Sequence, residues 1–397
     1  MLTALREDGT LFQLLPRLSK DVLRKEKAGG HYYCPECKER VTMKIGMQRM
    51  EHFAHQAGSQ CIESYERESS FHLNGKMQLY QWLKEQKLYP RLEPYYERLK
   101  QRPDISVDYS QQEYAIEYQC SPIPPQLMIK RTNTYRKNNI DCVWILGGNQ
   151  LKRKSEKKVS LTQFDYLLLN KTPDGKWYLP YYCSNSHKFV FLTNIIPTSA
   201  KNALTQFSIF PIQNRSIQQI LTHKMNEFLY AKEWRNEMRA QKLRMGMNSH
   251  SQIDYLKELY IHHLNISLLP IMIGLPINHA PFIETSPLIW QSYLFIDLFR
   301  NKKKDEIITF SEVYRCFMHR VQRGQINLRT LPLIENYSIT VPLIEYLKLL
   351  VGIHVLEAIN YNTFRLKADI LIPDHVVSQQ KQEEHFYKEF HQVIFRV

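Results

Sequence analysis

The sequence predicts a mixed α/β protein in three parts: a small metal-stapled amino-terminal module, an α-β-β-β-α-β unit and an α-helical carboxy-terminal domain. Three observations carry this reading. Residues 31 to 61 hold three cysteines and three histidines in a polar stretch with little helical periodicity. Helical and alternating apolar patterns then succeed one another between about 63 and 148, and from about 216 the pattern stays helical. The expected boundaries are 1–62, 63–215 and 216–397. With 43% hydrophobic and 23% charged residues over 397 positions, the composition is that of a globular chain, which excludes wholesale disorder.

The first module carries Cys34-Pro-Glu-Cys37, His52-Phe-Ala-His55 and Cys61. Paired thiolates followed by His and Cys suit tetrahedral zinc, and a closed set of four ligands makes a structural site with no open position. Five candidates compete for four places; His55, nearer Cys61, is the expected ligand and His52 the alternative. A zinc deaminase also uses a Cys-x-x-Cys pair, yet its His-x-Glu does not precede Cys34.

A helix is expected next, from about Glu63 to Gln86, with Leu73, Met77, Tyr80, Trp82 and Leu83 among its apolar residues and Pro90 marking its end. Glu68, His72 and Lys76 are spaced i, i+4, i+8 and would share one of its faces. Three strand-like segments follow: Leu88 to Leu99, Asp104 to Tyr109 and Glu113 to Cys120. A turn centred between Ser110 and Gln111 would make the last two a hairpin with Asp104 opposite Glu117. Like charges facing across strands are destabilising, and a divalent cation is the simplest remedy. Gln119 shares the strand face of Glu117 and adds a third polar group. The prolines of Ser121-Pro-Ile-Pro-Pro125 end the strand and open a helix, Gln126 to Asn138, on which Arg131 and Tyr135 share a face. Asp141 to Leu146 reads as a short buried strand closed by Gly147-Gly148.

Further along, Lys152 to Lys158 is a charge run expected as a solvated loop. Tyr166 to Leu169 and Lys176 to Tyr182 read as a hairpin turning through Pro173-Asp174-Gly175. One long helix is expected from Ile217 to Met245, with basic residues that include Lys224, and others near 252–264, 288–301, 308–323, 341–358 and 380–393.

A net charge of +14 and a pI near 9.3 point to a polyanionic partner, nucleic acid foremost. The amino terminus lacks a basic segment followed by an apolar stretch, so no signal peptide is expected and the chain should be cytoplasmic. The most apolar window, Leu268 to Ile277, is too short to span a bilayer and is cut by two prolines, so no membrane insertion is expected. Seven cysteines, an odd number, argue against a disulfide framework; Cys142, Cys183 and Cys316 read as packing residues.

Arg102-Pro103-Asp104 followed by Glu117-Tyr118-Gln119-Cys120-Ser121, behind a zinc-ligand-like segment and a Glu-bearing helix, resembles the PD-(D/E)xK nuclease superfamily. The likeness is closer to the competence protein CoiA family, and it covers residues 1 to 215 best. The resemblance implies a cytosolic protein that acts on incoming DNA or recombination intermediates in natural transformation, with recombination proteins as further partners. It implies Mg²⁺, or Mn²⁺, on Asp104 and Glu117, with Glu68 holding the metal or its water and His72 and Lys76 touching the scissile phosphate. It places Arg131 and Tyr135 where relatives in the superfamily contact DNA. Most of those relatives have Lys where this chain has Gln119, and a neutral amide is neither a general base nor a cation. A nuclease fold kept as a DNA-binding scaffold without catalysis is the alternative reading.

Overall fold

A computed structural model describes residues 1–46, 50–59, 61, 68–172, 174–221, 227–247, 252–334 and 338–395. Met1–Leu151, Leu179–Leu192 and Ser208–Lys224 form one compact unit; Lys152–Tyr178, Thr193–Phe207 and Met225–Val397 form a second.

The first unit opens with strands β1 (Thr3–Arg6) and β2 (Leu11–Gln13), helix α1 (Lys20–Gly29) and strands β3 (Tyr32–Tyr33), β4 (Arg40–Lys44) and β5 (His52–His55). The strands make a sheet of order β2-β1-β3-β4-β5 over a core that includes Phe12, Leu14, Tyr32, Val41, Met43 and Phe53. Helix α2 (Ser70–Glu85) follows, then β6 (Arg91–Leu92), β7 (Ile105–Tyr109), β8 (Gln112–Gln119), α3 (Pro125–Lys137) and β9 (Ile140–Gly147). The α-β-β-β-α-β order expected from the sequence is therefore present, although the first strand is reduced to Arg91–Leu92, its prolines restricting regular pairing on either side. Strands β6, β7 and β8 pair antiparallel and β8 pairs parallel to β9.

The β7–β8 hairpin turns where expected. Tyr109 pairs with Gln112, and Ser110 and Gln111 both take positive φ, 51° and 66°. Consecutive left-handed residues define the type I′ turn that matches strand twist, a conformation Asn-Gly adopts more readily than Ser-Gln. Replacing Ser110→Asn and Gln111→Gly together is expected to stabilise the protein by about 1 kcal/mol, read as a higher denaturation midpoint.

Helix α2 starts at Ser69, whose side chain accepts the His72 N–H, so Glu68 precedes the helix instead of riding on it. Glu63 to Arg67, where the helix was expected to begin, lie outside the described residues. Gly75 brings the helix close to β8: a Cβ there would lie 2.1 Å from the Tyr118 ring. Adjacent residues of a strand face opposite sides, so Tyr118 packs on α2 while Glu117 turns to α3.

The chain continues through β10 (Lys152–Arg153), β11 (Lys158–Ser160), α4 (Gln163–Leu167), β12 (Asn170–Lys171), β13 (Trp177–Cys183), β14 (Lys188–Pro197), β15 (Asn202–Pro211) and α5 (Ile217–Leu221). The expected loop at Lys152–Lys158 is instead a short hairpin, with Lys152 paired to Ser160. Two of its lysines meet carboxylates, Lys157 with Glu233 at 2.9 Å and Lys158 with Glu237 at 2.5 Å. Tyr166 to Leu169 is not a strand: a Thr162/Asp165 capping box starts helix α4 there, and Asn170–Lys171 pairs with Trp177–Tyr178 in its place. Pro173 of that turn lies outside the described residues.

Beyond lie α6 (Ala231–Met247), α7 (Ile253–Ile261), α8 (Pro287–Asp297), β16 (Ile307–Thr309), α9 (Phe310–Gln322), α10 (Thr340–Gly352), β17 (Leu356–Asn360), β18 (Thr363–Leu366), α11 (Val376–Glu389) and α12 (His391–Ile394). The single helix expected from Ile217 to Met245 is not continuous, since residues 227–230 are non-helical; Lys224 lies outside the described residues. The carboxy-terminal part is not wholly helical either. Strands β16, β18 and β17 form a sheet, so the helix expected over 341–358 ends at Gly352 and the chain re-emerges as a strand. No helix among the described residues is long and apolar enough to cross a membrane.

Candidate functional site

Among the described residues two groups of ligand-type side chains converge, both in the first unit. The first is Cys34, Cys37, His55 and Cys61, whose ligand atoms all lie within 4.8 Å of one another. Cys34 and Cys37 sit on a tight turn in which the Cys34 N–H donates to the Glu39 carbonyl and Lys38 takes a φ of 62°. His55 Nε2 lies 3.4 Å from the Cys37 sulfur. His52 is three residues away on the same strand and so faces the other side; its Nδ1 is 2.9 Å from the Met50 carbonyl. A zinc ion with bonds near 2.3 Å sets neighbouring sulfurs roughly 3.8 Å apart, and three thiols with one imidazole match its donor chemistry. Burial raises the pKa of the Cys34 thiol.

The second group is Glu68, His72 and Asp104, with Lys76 among them. Lys76 is 2% exposed, and its ammonium reaches three carboxylates: Glu93 at 2.7 Å, Asp104 at 2.8 Å and Glu68. Burial opposes the charged ammonium, but Asp104, Glu68 and Glu93 together hold its pKa well above the ordinary lysine value. Lys76 is therefore a fixed cation at neutral pH and cannot serve as a base.

Asp104 divides its oxygens. Oδ1 faces Lys76, while Oδ2 accepts the Tyr118 N–H at 2.8 Å and lies 3.3 Å from His72 Nε2. Burial pushes its carboxyl up, and Lys76 and His72 more than offset that, so it stays ionised well below the usual carboxylate range. For His72, burial disfavours the imidazolium, yet Asp104 outweighs it and the pKa is raised. Glu68 also meets the Met1 ammonium; against the cost of burial, Lys76 and that ammonium hold it well below the ordinary value.

The expected opposition of Asp104 and Glu117 takes a different form. The hairpin register, carried one residue past Ile105↔Ile116, sets the two opposite each other. Asp104 lies just outside the paired strand, however, and its carboxylate turns to α2, whereas Glu117 turns to α3. Repulsion is relieved by side-chain cations: Lys76 on one, Arg131 on the other. Arg131 Nη2 lies 2.7 Å from each Glu117 oxygen, and the Tyr135 hydroxyl donates to Glu117 at 2.7 Å. Glu117 still lines a cavity of about 10 Å³ with Glu68, His72, Lys76, Arg102, Asp104, Gln119 and Arg131, room for one water or one ion. It is not one of the three residues whose ligand atoms converge.

Arg131 and Tyr135 were expected at a DNA-facing surface, and here the structure corrects the sequence. Tyr135 is fully buried, so its ring cannot stack on a base, and both side chains point inward to Glu117. Equal spacing on a helix shows that two residues share a face, not which way the face looks. Arg131→Met is expected to cost about 3–5 kcal/mol in unfolding free energy because it strands a buried carboxylate. Tyr135→Phe, which removes a single donor, should cost about 1–3 kcal/mol. Urea denaturation of the two variants measures both.

Gln119 is buried, and its Nε2 donates to the Ser121 carbonyl at 2.7 Å. Lys130, on the outer side of α3, is exposed. Of two further residues at the site, Glu93 had no signal in the sequence and Arg102 had only its place in the Arg102-Pro103-Asp104 run. Glu93 accepts from the backbone of Leu2 and Thr3, from the Thr3 hydroxyl and from Lys76. Arg102 is buried beside Met1 and lines the same cavity.

Three family models match the chain in succession, each described as a part of competence protein CoiA: the N-terminal domain over residues 15–64, the nuclease-like domain over 68–225 and the C-terminal domain over 229–379. Competence protein CoiA of Bacillus subtilis (strain 168) is 28% identical over 323 residues, covering 81% of this chain and 85% of the relative. No solved structure matches the chain.

Proposed function

The chain belongs to the competence protein CoiA family, and from that premise we propose that it is a divalent-metal-dependent nuclease acting on incoming or recombining DNA during natural transformation. One observation carries the reading: Glu68, His72 and Asp104 converge around a buried Lys76 inside the segment that matches the nuclease-like domain. The αβββαβ element order supports a PD-(D/E)xK-type core, and the matched domains, which meet at 64/68 and 225/229, support a three-part division like the one expected at 62/63 and 215/216. The net charge of +14 supports DNA as the partner, and we take the protein to act in the cytoplasm.

A Mg²⁺ or Mn²⁺ ion held there would supply Lewis acidity toward a phosphodiester oxygen and a bound water of lowered pKa. Within the chain, Asp104 and Glu68 stay ionised to receive it, and the Tyr118 N–H fixes the Asp104 carboxylate. Lys76 brings the fixed positive charge that Gln119 lacks. Gln119, tethered to Ser121, orients water without taking its proton. Arg131 and Tyr135 hold Glu117 in place.

The test is cleavage of single-stranded, nicked and branched DNA by the purified chain with Mg²⁺ or Mn²⁺. Absence of cleavage, or cleavage unchanged in Asp104→Ala and Glu117→Ala, would sink the proposal. A second reading, a DNA-binding scaffold without catalysis, is favoured by the engagement of Glu117 with Arg131 and Tyr135 and by the amide at Gln119. It predicts salt-sensitive DNA binding that survives Glu117→Ala, with no cleavage.

The amino-terminal Cys34, Cys37, His55 and Cys61 set is proposed to hold structural zinc. Purified protein should carry about one zinc per chain and lose it in the Cys34→Ser, Cys37→Ser double variant, while His52→Ala retains it. Elemental analysis reads all three, and metal-free wild-type protein would reject the assignment.

A further inference from the structure

We infer that His72 is a nitrogen ligand of the metal at the nuclease-like site, and that this site selects a first-row transition ion such as Mn²⁺ over Mg²⁺. The inference rests on the metal-dependent reading above and adds the identity of the ion. His72 Nε2 stands 3.3 Å from Asp104 Oδ2, and one donor atom each from Glu68, His72 and Asp104 falls within 4.8 Å of the others. Adjacent ligands of a six-coordinate ion with bonds of about 2.1 Å are roughly 3 Å apart, so an ion could bridge the two where a hydrogen bond now does.

The imidazole is built into place. Ser69 receives the His72 N–H at the helix start, the ring packs edge-on against Tyr118 at 5.7 Å, and the residue is 8% exposed. A mobile surface histidine would swing aside; this one has little room to do so.

Charge points the same way. Asp104 Oδ1 and Glu68 already face the Lys76 ammonium, so the carboxylate oxygens left to an incoming ion are few and partly neutralised. Mg²⁺ depends on hard, anionic oxygen and gains little from imidazole nitrogen. Mn²⁺ accepts the same carboxylates and lies on the first-row affinity series in which nitrogen ligands contribute more. A site that spends one of three donors on nitrogen and shares its oxygens with lysine is poorly suited to Mg²⁺.

The experiment is Mn²⁺ binding to the full-length protein, followed by pulsed electron paramagnetic resonance on natural-abundance and ¹⁵N-histidine-labelled samples, which needs no substitution in the site. Nitrogen modulation that changes with the label is expected; it should vanish in His72→Gln and persist in the Cys34→Ser, Cys37→Ser protein, which excludes His55. Mn²⁺ should bind about tenfold or more tightly than Mg²⁺, and the ratio should fall toward one in His72→Gln. Mn²⁺ bound without histidine nitrogen, or with nitrogen lost only in the cysteine variant, would overturn the inference and leave the metal-dependent reading standing. No Mn²⁺ or Mg²⁺ binding that Asp104→Asn abolishes would overturn that reading as well.

Discussion

Asp104→Asn is expected to lower metal-dependent DNA cleavage by roughly three orders of magnitude, about 4 kcal/mol of transition-state stabilisation, while leaving the protein folded. The substitution keeps the shape of the side chain and an oxygen able to accept the Tyr118 N–H, now at 2.8 Å from Oδ2. What it removes is one negative charge between His72 and Lys76. Lys76 retains Glu93 at 2.7 Å and Glu68 but exchanges the Asp104 carboxylate for a neutral amide, so the fold is kept while the thermal midpoint should fall. A rate that collapses in a protein that still folds and melts cooperatively identifies Asp104 as a site residue; unchanged cleavage would remove it from the reaction.

The hairpin and the cysteine-histidine set were legible because each is local and chemically particular. Alternation from Ile105 to Gln119 fixes two strands, the count between them fixes the turn at Ser110 and Gln111, and the turn fixes the register. Three cysteines and two histidines in a short segment point to a cluster on chemistry alone; nearness to Cys61 picks out His55, which does converge with the cysteines, while strand parity turns His52 to the other side.

What escaped the sequence depends on partners distant in the chain. Glu93 sits in a proline-broken segment that alternation alone reads as a plain strand, and its role comes from Lys76 on α2 and from the backbone of β1. Arg131 and Tyr135 share a helix face in the sequence, but only Glu117 across the packing shows that the face looks inward. Val355 and Leu356 extend an apolar helical pattern past Gly352, yet pairing of β17 with β18 makes the segment a strand. Glu68, His72 and Lys76 were brought together by a helical spacing that proved only partly right: the Ser69 cap excludes Glu68 from the helix, and attraction to Lys76 draws its carboxylate to the same place. Electrostatics restored what periodicity misassigned.

Lys76→Met should be the most destabilising single change in the first unit's polar core, by about 3–5 kcal/mol, because it leaves Glu68, Glu93 and Asp104 buried without the ammonium that joins them. The sign of the pH dependence separates this from an ordinary packing defect. In the native protein burial raises all three carboxyl pKa values, and Lys76 foremost, with His72 at Asp104, the Met1 ammonium at Glu68 and Arg102 at Glu93, more than reverses it, so each lies below its ordinary value. Such groups contribute stability above the unfolded carboxyl pKa of about 4, and it is lost as pH falls through the lower folded values. Metal-free wild-type protein should therefore gain nothing from these acids between pH 7 and pH 5. Without Lys76 the largest opposing charge is gone and burial is countered only by His72, Arg102 and the Met1 ammonium, so the folded values rise and the variant should gain stability relative to the wild type as pH falls from 7 to 5. A divalent ion should substitute for the missing cation: Mn²⁺ at about one hundred times its dissociation constant restores about 2.7 kcal/mol by mass action. Denaturation of both proteins at the two pH values, with and without Mn²⁺, decides the matter. Parallel pH dependence, or a variant that Mn²⁺ does not rescue, would mean that Lys76 fills space and that the acids around it do not form a cation site.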